Sequence, residues 1–370
     1  MTATNVTIVA EAGVNHNGSL DMAMRLVDAA AESGADFVKF QTFRSESSLS
    51  ANVPLADYQV ANAGDANSML KMVKNLELPF DDFLRLRDAC KIKGIGFLST
   101  GFDRESVAFL HELGVPFFKV ASGELTNAPL LLQIAGFGRP VAVSTGAANI
   151  EDIQMALGCL AFGFLGLPET EASIESFQNA FRSDEGQSHL RDKITLLHCT
   201  TEYPAPFDEL NLRAIATLRE SFGLRVGYSD HSLGITAPIA ATAMGAVMIE
   251  KHFTLDRNLD GPDHQASLEP HDLVAMVREI RAVETALGNG EKVPGPAESK
   301  NRTLVRKSLV AAIPIKSGEM FSETNLIAKR PGSGLSPFAL WSLIGRTAGR
   351  GYEADEQIDM DAASSKPLRQ

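Results

Sequence analysis

The sequence predicts an α/β fold, a (β/α)8 barrel followed by a small β-rich domain. Eight short apolar runs alternate with amphipathic stretches, which implies parallel strands joined by helices, and eight such units close a barrel. Nearly every run also ends in polar, reactive side chains, as the C-terminal mouth of such a barrel demands. After residue 288 this rhythm stops, and a stretch rich in Gly, Pro and charge leads into short β-like runs.

The eight runs are "NVTIVAEAG" (5–13), "FVKFQTF" (37–43), "GFLSTGF" (96–102), "FFKVASG" (117–123), "PVAVSTG" (140–146), "ITLLHCT" (194–200), "RVGYSDH" (225–231) and "AVMIEKHF" (246–253). Between them, "SLDMAMRLVDAAAESG" (19–34) and "PFDDFLRLRDACKIKG" (79–94) carry apolar residues at helical spacing and end on Gly. An open doubly wound sheet competes with the barrel, but "EAGVNHNG" offers no G-x-G-x-x-G turn after the first strand. Residues 44–78 form a long polar excursion, expected over the active-site face as a lid or wall. Residues 158–192 lengthen the connection between the fifth and sixth strands, and their composition assigns them no role. The expected organisation is a barrel over 1–288, a linker over 289–304 and a small domain over 305–370.

Hydrophobic residues make up 44% of the 370-residue chain and charged residues 22%, ordinary for a folded soluble protein. A net charge of −12 argues against a nucleic-acid or membrane-surface partner, which would reward excess Lys and Arg. Three cysteines, Cys90, Cys159 and Cys199, give neither a disulfide framework nor a CxxC metal site. The N-terminus lacks the pattern of a signal peptide and no apolar run reaches membrane-spanning length, so a cytoplasmic location is expected.

The stretch "VMIEKHF" (247–253) raises the functional question. Strand alternation puts Met248, Glu250 and His252 on one face, where a buried strand should stay apolar. The same pattern recurs along the chain. Glu11 ends the first run; Lys39 and Gln41 the second; Ser99 and Thr100 the third; Lys119, Ser122 and Glu124 the fourth; Ser144 and Thr145 the fifth. The sixth contributes His198 and Thr200, the seventh Ser229, Asp230 and His231, the eighth Glu250 and His252. A buried charge is costly unless paired or bound, so a ring of them converging on one mouth reads as a site.

His231 and His252, on adjacent strand ends, could together bind a divalent cation and leave positions open for substrate and water; the alternative is two hydrogen-bonded core histidines. Lys39 and Lys119 with Thr100, Ser122 and Ser229 suit a phosphate cradle. Lys39 could instead form a Schiff base or pair with Glu11. Glu11, Glu124 and Glu250 could act as general bases or accept sugar hydroxyls. Cys199 beside His198 reads as a core cysteine, because strand neighbours point to opposite faces.

With these residues in hand, the sequence resembles the sialic acid synthase family, which makes nine-carbon nonulosonic acids. The likeness runs from "EAGVNHNGSLDMAMRLVDAAAESGADFVKFQTF" through "FKVASGE", "STGAAN", "HCTTEYPAP", "GYSDHSLG" and "IEKHFTLDRNLDGPDH" to "IAKRPGSG", nearly the whole chain. It implies condensation of phosphoenolpyruvate with an open-chain N-acetylated mannosamine and loss of phosphate by C–O cleavage. It also implies a divalent cation, often Mn2+ with Mg2+ or Co2+ as alternatives, on His231 and His252. Lys39, Thr100, Lys119, Ser122, Thr201 and Ser229 would hold phosphoenolpyruvate; Gln41, Tyr203, Glu250 and Asp263 would line the sugar; Glu11 and Glu124 would stand at the reacting centre. The tail resembles the family's antifreeze-like (SAF) domain, with Arg330 of "KRPG" contacting the sugar across a domain-swapped homodimer.

Thr201 stands where several members have Asn, and Asn62 is the match for a sugar-binding asparagine. The wording "HCTTEYPAP" and the 158–192 insertion point to the legionaminic branch, whose substrate is a diacetamido-trideoxymannose. Other readings are a synthase of 3-deoxy sugar acids, against which the tail argues, a metal-dependent barrel hydrolase, which would want H-x-H at the first strand, and a sugar-binding barrel without turnover.

Overall fold

The computed structural model of the chain describes residues 5–48 and 69–359. Two compact units appear, Met1–Gly288 and Asn289–Gln370. In the first, eight strands carry the sheet: β1 (Thr7–Gly13), β2 (Phe37–Thr42), β3 (Gly96–Gly101), β4 (Phe118–Val120), β5 (Val141–Ser144), β6 (Ile194–Cys199), β7 (Arg225–Asp230) and β8 (Met248–His252). Their order, β3-β2-β1-β8-β7-β6-β5-β4, with parallel pairing throughout, is that of a (β/α)8 barrel. Hydrogen-bonded ladders join all neighbours except β3 and β4, which lie side by side without a shared ladder among the described residues.

The helices are α1 (Leu20–Ser33), α2 (Met69–Leu76), α3 (Phe80–Lys93), α4 (Arg104–Leu113), α5 (Ala128–Gly136), α6 (Ile150–Phe164), α7 (Ile174–Arg182), α8 (Asp184–Lys193), α9 (Ala214–Phe222), α10 (Thr236–Ala243) and α11 (Pro270–Leu287). Helix α1 shows how local sequence sets them. The Ser19 side chain accepts the Met22 amide at its start, and Gly34 ends it at φ 79°, a left-handed conformation that favours glycine. Its buried stripe of Ala23, Leu26, Val27 and Ala30 faces the barrel. The 158–192 stretch is the second half of α6 followed by α7 and α8, and α7 packs Phe177 edge-on against Phe162 of α6 at 5.4 Å.

Inside the barrel, alternation builds two storeys. Val9, Leu98, Ala142, Leu197 and Met248 form an apolar layer with Phe37 and Phe117 against it. Two residues further along the same runs stand Glu11, Thr100, Ser144, Cys199, Glu250, Lys39 and Lys119. Strand period alone therefore converts an apolar floor into a polar one at the mouth.

The second unit has its own core of Leu309, Ala311, Ile315, Phe321, Leu326, Leu343, Ala348, Tyr352 and Ile358. In it β9 (Ser308–Ala311) pairs antiparallel with β10 (Leu326–Lys329). The stretch expected as a linker, 289–304, contains most of a helix, α12 (Pro296–Val305). Pro296 opens that helix, where its missing N–H costs nothing, and no breaker follows it. Among the described residues, no helix is long and apolar enough to cross a membrane.

Candidate active site

The mouth holds a chain of buried charges of alternating sign. Lys39 Nζ lies 2.7 Å from Glu11 Oε2 and 3.6 Å from Glu250 Oε2, and Lys119 Nζ lies 3.0 Å from Glu250 Oε1. Lys39 also donates to Thr100 Oγ1 at 3.0 Å, Ser229 Oγ to Glu250 Oε1 at 3.0 Å, and Gln41 Nε2 to Glu11 Oε1 at 3.3 Å. Lys39 is thus held by two carboxylates and a hydroxyl from three other strands, and Lys119 by the Glu250 carboxylate that Ser229 also bonds.

Burial pushes the Glu11 carboxyl up to about 7; the Lys39 charge opposes the shift and the Glu250 charge adds to it. Glu250 goes the other way. Burial works against its charge, but Lys119 and Lys39 outweigh it and hold the carboxyl well below the usual range. For Lys39, likewise, burial is outweighed by Glu11 and Glu250, which keep the ammonium charged. Two neighbouring carboxyls driven apart in this way suit different proton roles.

His231 and His252 present their rings 5.4 Å apart at 60°, and the Tyr203 ring lies 4.1 Å from His231 and edge-on to His252. His231 Nδ1 is 2.7 Å from the Thr200 carbonyl, which can only accept, so Nδ1 carries a proton; burial opposes a charge on this ring, but Cys199, the Thr200 carbonyl and Asp230 outweigh it and raise the imidazole above its usual range. His252 Nδ1 is buried without a hydrogen-bond partner, 3.7 Å from Asp263 Oδ2. Burial, and then His231, hold the His252 imidazole well below its usual range, so it is a neutral donor. Burial raises Asp263 to about 6, an effect His231 partly offsets. Among the described residues no cluster of three or more His, Cys, Asp and Glu could hold a metal ion. The neutral His252 imidazole, its Nδ1 unpartnered, stands beside His231 with carboxylates in excess over ammonium groups, a donor set that could contribute two ligands to a divalent cation.

All these groups line one cavity of about 390 Å³, together with Ser122, Glu124 and Thr201. Ser122 Oγ donates to Ser144 Oγ at 2.9 Å and receives the Gly146 amide at 3.1 Å. A side chain at Gly146 would run into the Ser122 and Thr201 hydroxyls, so this approach requires glycine. Glu124 sits on a 3-10 turn (Ser122–Glu124) after β4 and accepts from Asn127 Nδ2 at 2.6 Å. Unlike Glu11, Glu250 and Asp263 it is only half-buried. Arg330 belongs to the second unit and is exposed there, and Asn62 lies outside the described residues.

Two features escaped the sequence reading. Cys199 is buried as expected, but its Sγ faces the barrel interior, 3.7 Å from His231 Nδ1, a contact the sequence did not indicate. Burial opposes its ionisation, but His231 outweighs that and lowers the thiol to about 7. Its neighbour His198 points outward and donates from Nε2 to the Leu210 carbonyl at 2.7 Å. The second feature is an apolar wall. Val14, Phe43, Met72, Val73, Leu76 and Phe102 line the same cavity, and Val14, Phe43, Met72 and Leu76 pack as one cluster. Helix α2, inside the excursion expected to be polar, supplies Met72, Val73 and Leu76; their helical spacing was the available signal.

A parallel barrel with paired lysines, hydroxyls and imidazoles at its C-terminal mouth defines an enzyme acting on an anionic substrate. The chain belongs to the NeuB family, whose model matches residues 26–292. It is 46% identical to an N,N'-diacetyllegionaminic acid synthase of Campylobacter jejuni over 95% of this chain and 98% of that one. It is 42% identical to an N,N'-diacetyllegionaminic acid synthase of Legionella pneumophila, over 91% of this chain and 89% of that one. The crystal structure of an N-acetylneuraminic acid synthetase from Leptospira borgpetersenii, in complex with citrate, matches with a TM-score of 0.64 and 34% identity over 80% of this chain and 90% of that one. The protein is therefore an enzyme, a sugar-acid synthase of this family.

Proposed function

We propose that the protein condenses phosphoenolpyruvate with the open-chain form of 2,4-diacetamido-2,4,6-trideoxymannose, giving N,N'-diacetyllegionaminate and inorganic phosphate. The two relatives at 46% and 42% identity carry that product in their names. The observation that carries the choice of sugar is the wall of Val14, Phe43, Met72, Leu76 and Phe102. It offers apolar surface to a methyl group at C6, and its described side chains carry no hydrogen-bonding group for a hydroxyl there.

In this reading Lys39 and Lys119, with Thr100, Ser122, Ser229 and Thr201, hold the phosphate and carboxylate of phosphoenolpyruvate. Glu250, fixed between both ammonium groups, orients them. Gln41, Tyr203 and Asp263 line the sugar. His231 and His252 would hold the divalent cation, Mn2+ in our proposal, which when bound supplies Lewis-acid polarisation of the sugar aldehyde. The new bond joins C3 of phosphoenolpyruvate to the aldehyde carbon, and the aldehyde oxygen takes a proton. Glu11, which keeps its proton to about pH 7, is placed to give it. Water then adds at C2, with half-buried Glu124 at the solvent side taking its proton, and phosphate leaves by cleavage of its C–O bond.

The remaining parts of the proposal concern the assembly. The resemblance supports reading the second unit as an antifreeze-like module and the active form as a domain-swapped homodimer in which Arg330 reaches the sugar on a partner's barrel. Three buried free thiols suit a reducing, cytoplasmic setting.

The deciding experiment offers N-acetylmannosamine and the diacetamido-trideoxy sugar in competition and compares kcat/KM from phosphate release. We expect the trideoxy sugar to win by roughly tenfold or more, since an apolar pocket rejects an added hydroxyl only modestly. Preference for N-acetylmannosamine would overturn the choice of sugar. No phosphate release with either sugar would count against the synthase reading itself.

A further inference from the structure

Asp230 and Lys251 are register partners on β7 and β8, and each directly precedes one of the two histidines of the mouth. Alternation turns His231 and His252 inward, so Asp230 and Lys251 point outward, away from the cavity they do not line. Their side chains are fully buried, with Nζ 2.5 Å from Oδ2. Asp230 is saturated. Its Oδ1 accepts from Tyr228 OH and the Ser232 amide, both at 2.9 Å, and its Oδ2 also accepts from Ser232 Oγ at 3.1 Å. The Ser232 bonds fold residues 230–232 into a turn with His231 at its centre. Lys251 Nζ donates to the Ser232 carbonyl as well, fastening β8 to both sides of that turn.

We propose that the Asp230–Lys251 pair is a positioning device that sets the spacing and ring orientation of His231 and His252 for one shared divalent cation. The inference rests on the two-histidine reading of the metal site given above. An apolar pair of similar volume would serve packing equally well, because removing two charges from water is costly. What an apolar pair could not supply is directional bonding on both sides of His231. The pair acts through the histidines and touches no substrate.

The test uses metal-stripped, full-length protein and measures Mn2+ affinity by electron paramagnetic resonance, with thermal unfolding followed in parallel. Asp230→Asn combined with Lys251→Met removes both charges without stranding either. We expect it to fold and to bind Mn2+ 10- to 100-fold more weakly, the range seen when groups supporting metal ligands are altered, with kcat recovered at saturating Mn2+. A folded double variant with wild-type Mn2+ affinity would overturn the inference. Should that variant fail to fold, Tyr228→Phe with Ser232→Ala decides instead. It strips two bonds from Asp230 without changing charge, and wild-type affinity there also overturns the inference. His231→Ala and His252→Ala are measured alongside. If they keep wild-type affinity, the two-histidine site falls and the positioning role falls with it; if they lose metal while the paired variants do not, only the positioning role falls.

Discussion

Lys39 Nζ sits 2.7 Å from Glu11 Oε2, yet the Glu11 carboxyl still holds its proton to about pH 7. Burial of the carboxyl wins over one ammonium because Lys39 also serves Glu250 at 3.6 Å. The consequence is a weak acid poised where a proton is needed. As pH rises through about 7 the proton is lost, so kcat/KM, which reports the free enzyme, is expected to fall on the alkaline side. Glu11→Gln should lower kcat by about 10²- to 10⁴-fold and abolish that limb in a pH–rate profile. A limb that persists unchanged in the variant would take the proton donor role from Glu11.

Lys119 approaches Glu250 at 3.0 Å and otherwise faces the cavity. Replacing it with Met removes a charge-assisted contact of about 1.5–3 kcal/mol, so KM for phosphoenolpyruvate should rise by roughly 10- to 100-fold. Steady-state kinetics at saturating sugar provide the check, and an unmoved KM would remove Lys119 from the phosphate or carboxylate contact.

Met72 lies on the apolar wall, and Met72→Gln puts a polar group of similar length there. Discrimination against a sugar carrying a 6-hydroxyl should fall by about tenfold, the scale on which apolar pockets sort hydroxyls. The readout is the ratio of kcat/KM for the two sugars. An unchanged ratio would place C6 elsewhere in the cavity.

The barrel unit, Met1–Gly288, has its own continuous core. Truncation after Gly288 is expected to leave a cooperative thermal transition and to reduce synthesis by about 10² or more, the cost of losing a positioning clamp such as Arg330. Circular dichroism and phosphate release test the two halves of that statement. Full turnover by the truncated chain would contradict the role given to Arg330.

Much of this site was legible in the sequence because one rule governs both storeys of the barrel. Val9 and Glu11, Leu98 and Thr100, Met248 and Glu250 are each two apart, so an apolar residue followed by a polar one on the same face marks the approach to the mouth. That rule also covers Leu197 and Cys199. The alternation that puts Leu197 and Cys199 inside turns His198 outward, as its bond to the Leu210 carbonyl shows. The wall on α2 was hidden for a different reason. Its three contacts occupy a short helix within a segment polar on average, and only packing against Val14 and Phe43 reveals which side matters. Helix α12 was masked by the Gly and Pro before it, which mark its start and not a break. The Asp230–Lys251 pair needed the strand register, which a sequence does not display.

The seam between β3 and β4, without a backbone ladder among the described residues, is where the barrel is expected to open most readily. Among the described residues seven junctions carry backbone ladders, whereas β3, which bears Thr100, and β4, which bears Lys119, lie side by side without one. Widening there would move Thr100 relative to Lys119 while leaving the ladders on the histidine side of the mouth in place. Amides of β4 that turn toward β3 should accordingly exchange with deuterium ahead of those elsewhere in the sheet, and slow once a substrate bridges the gap.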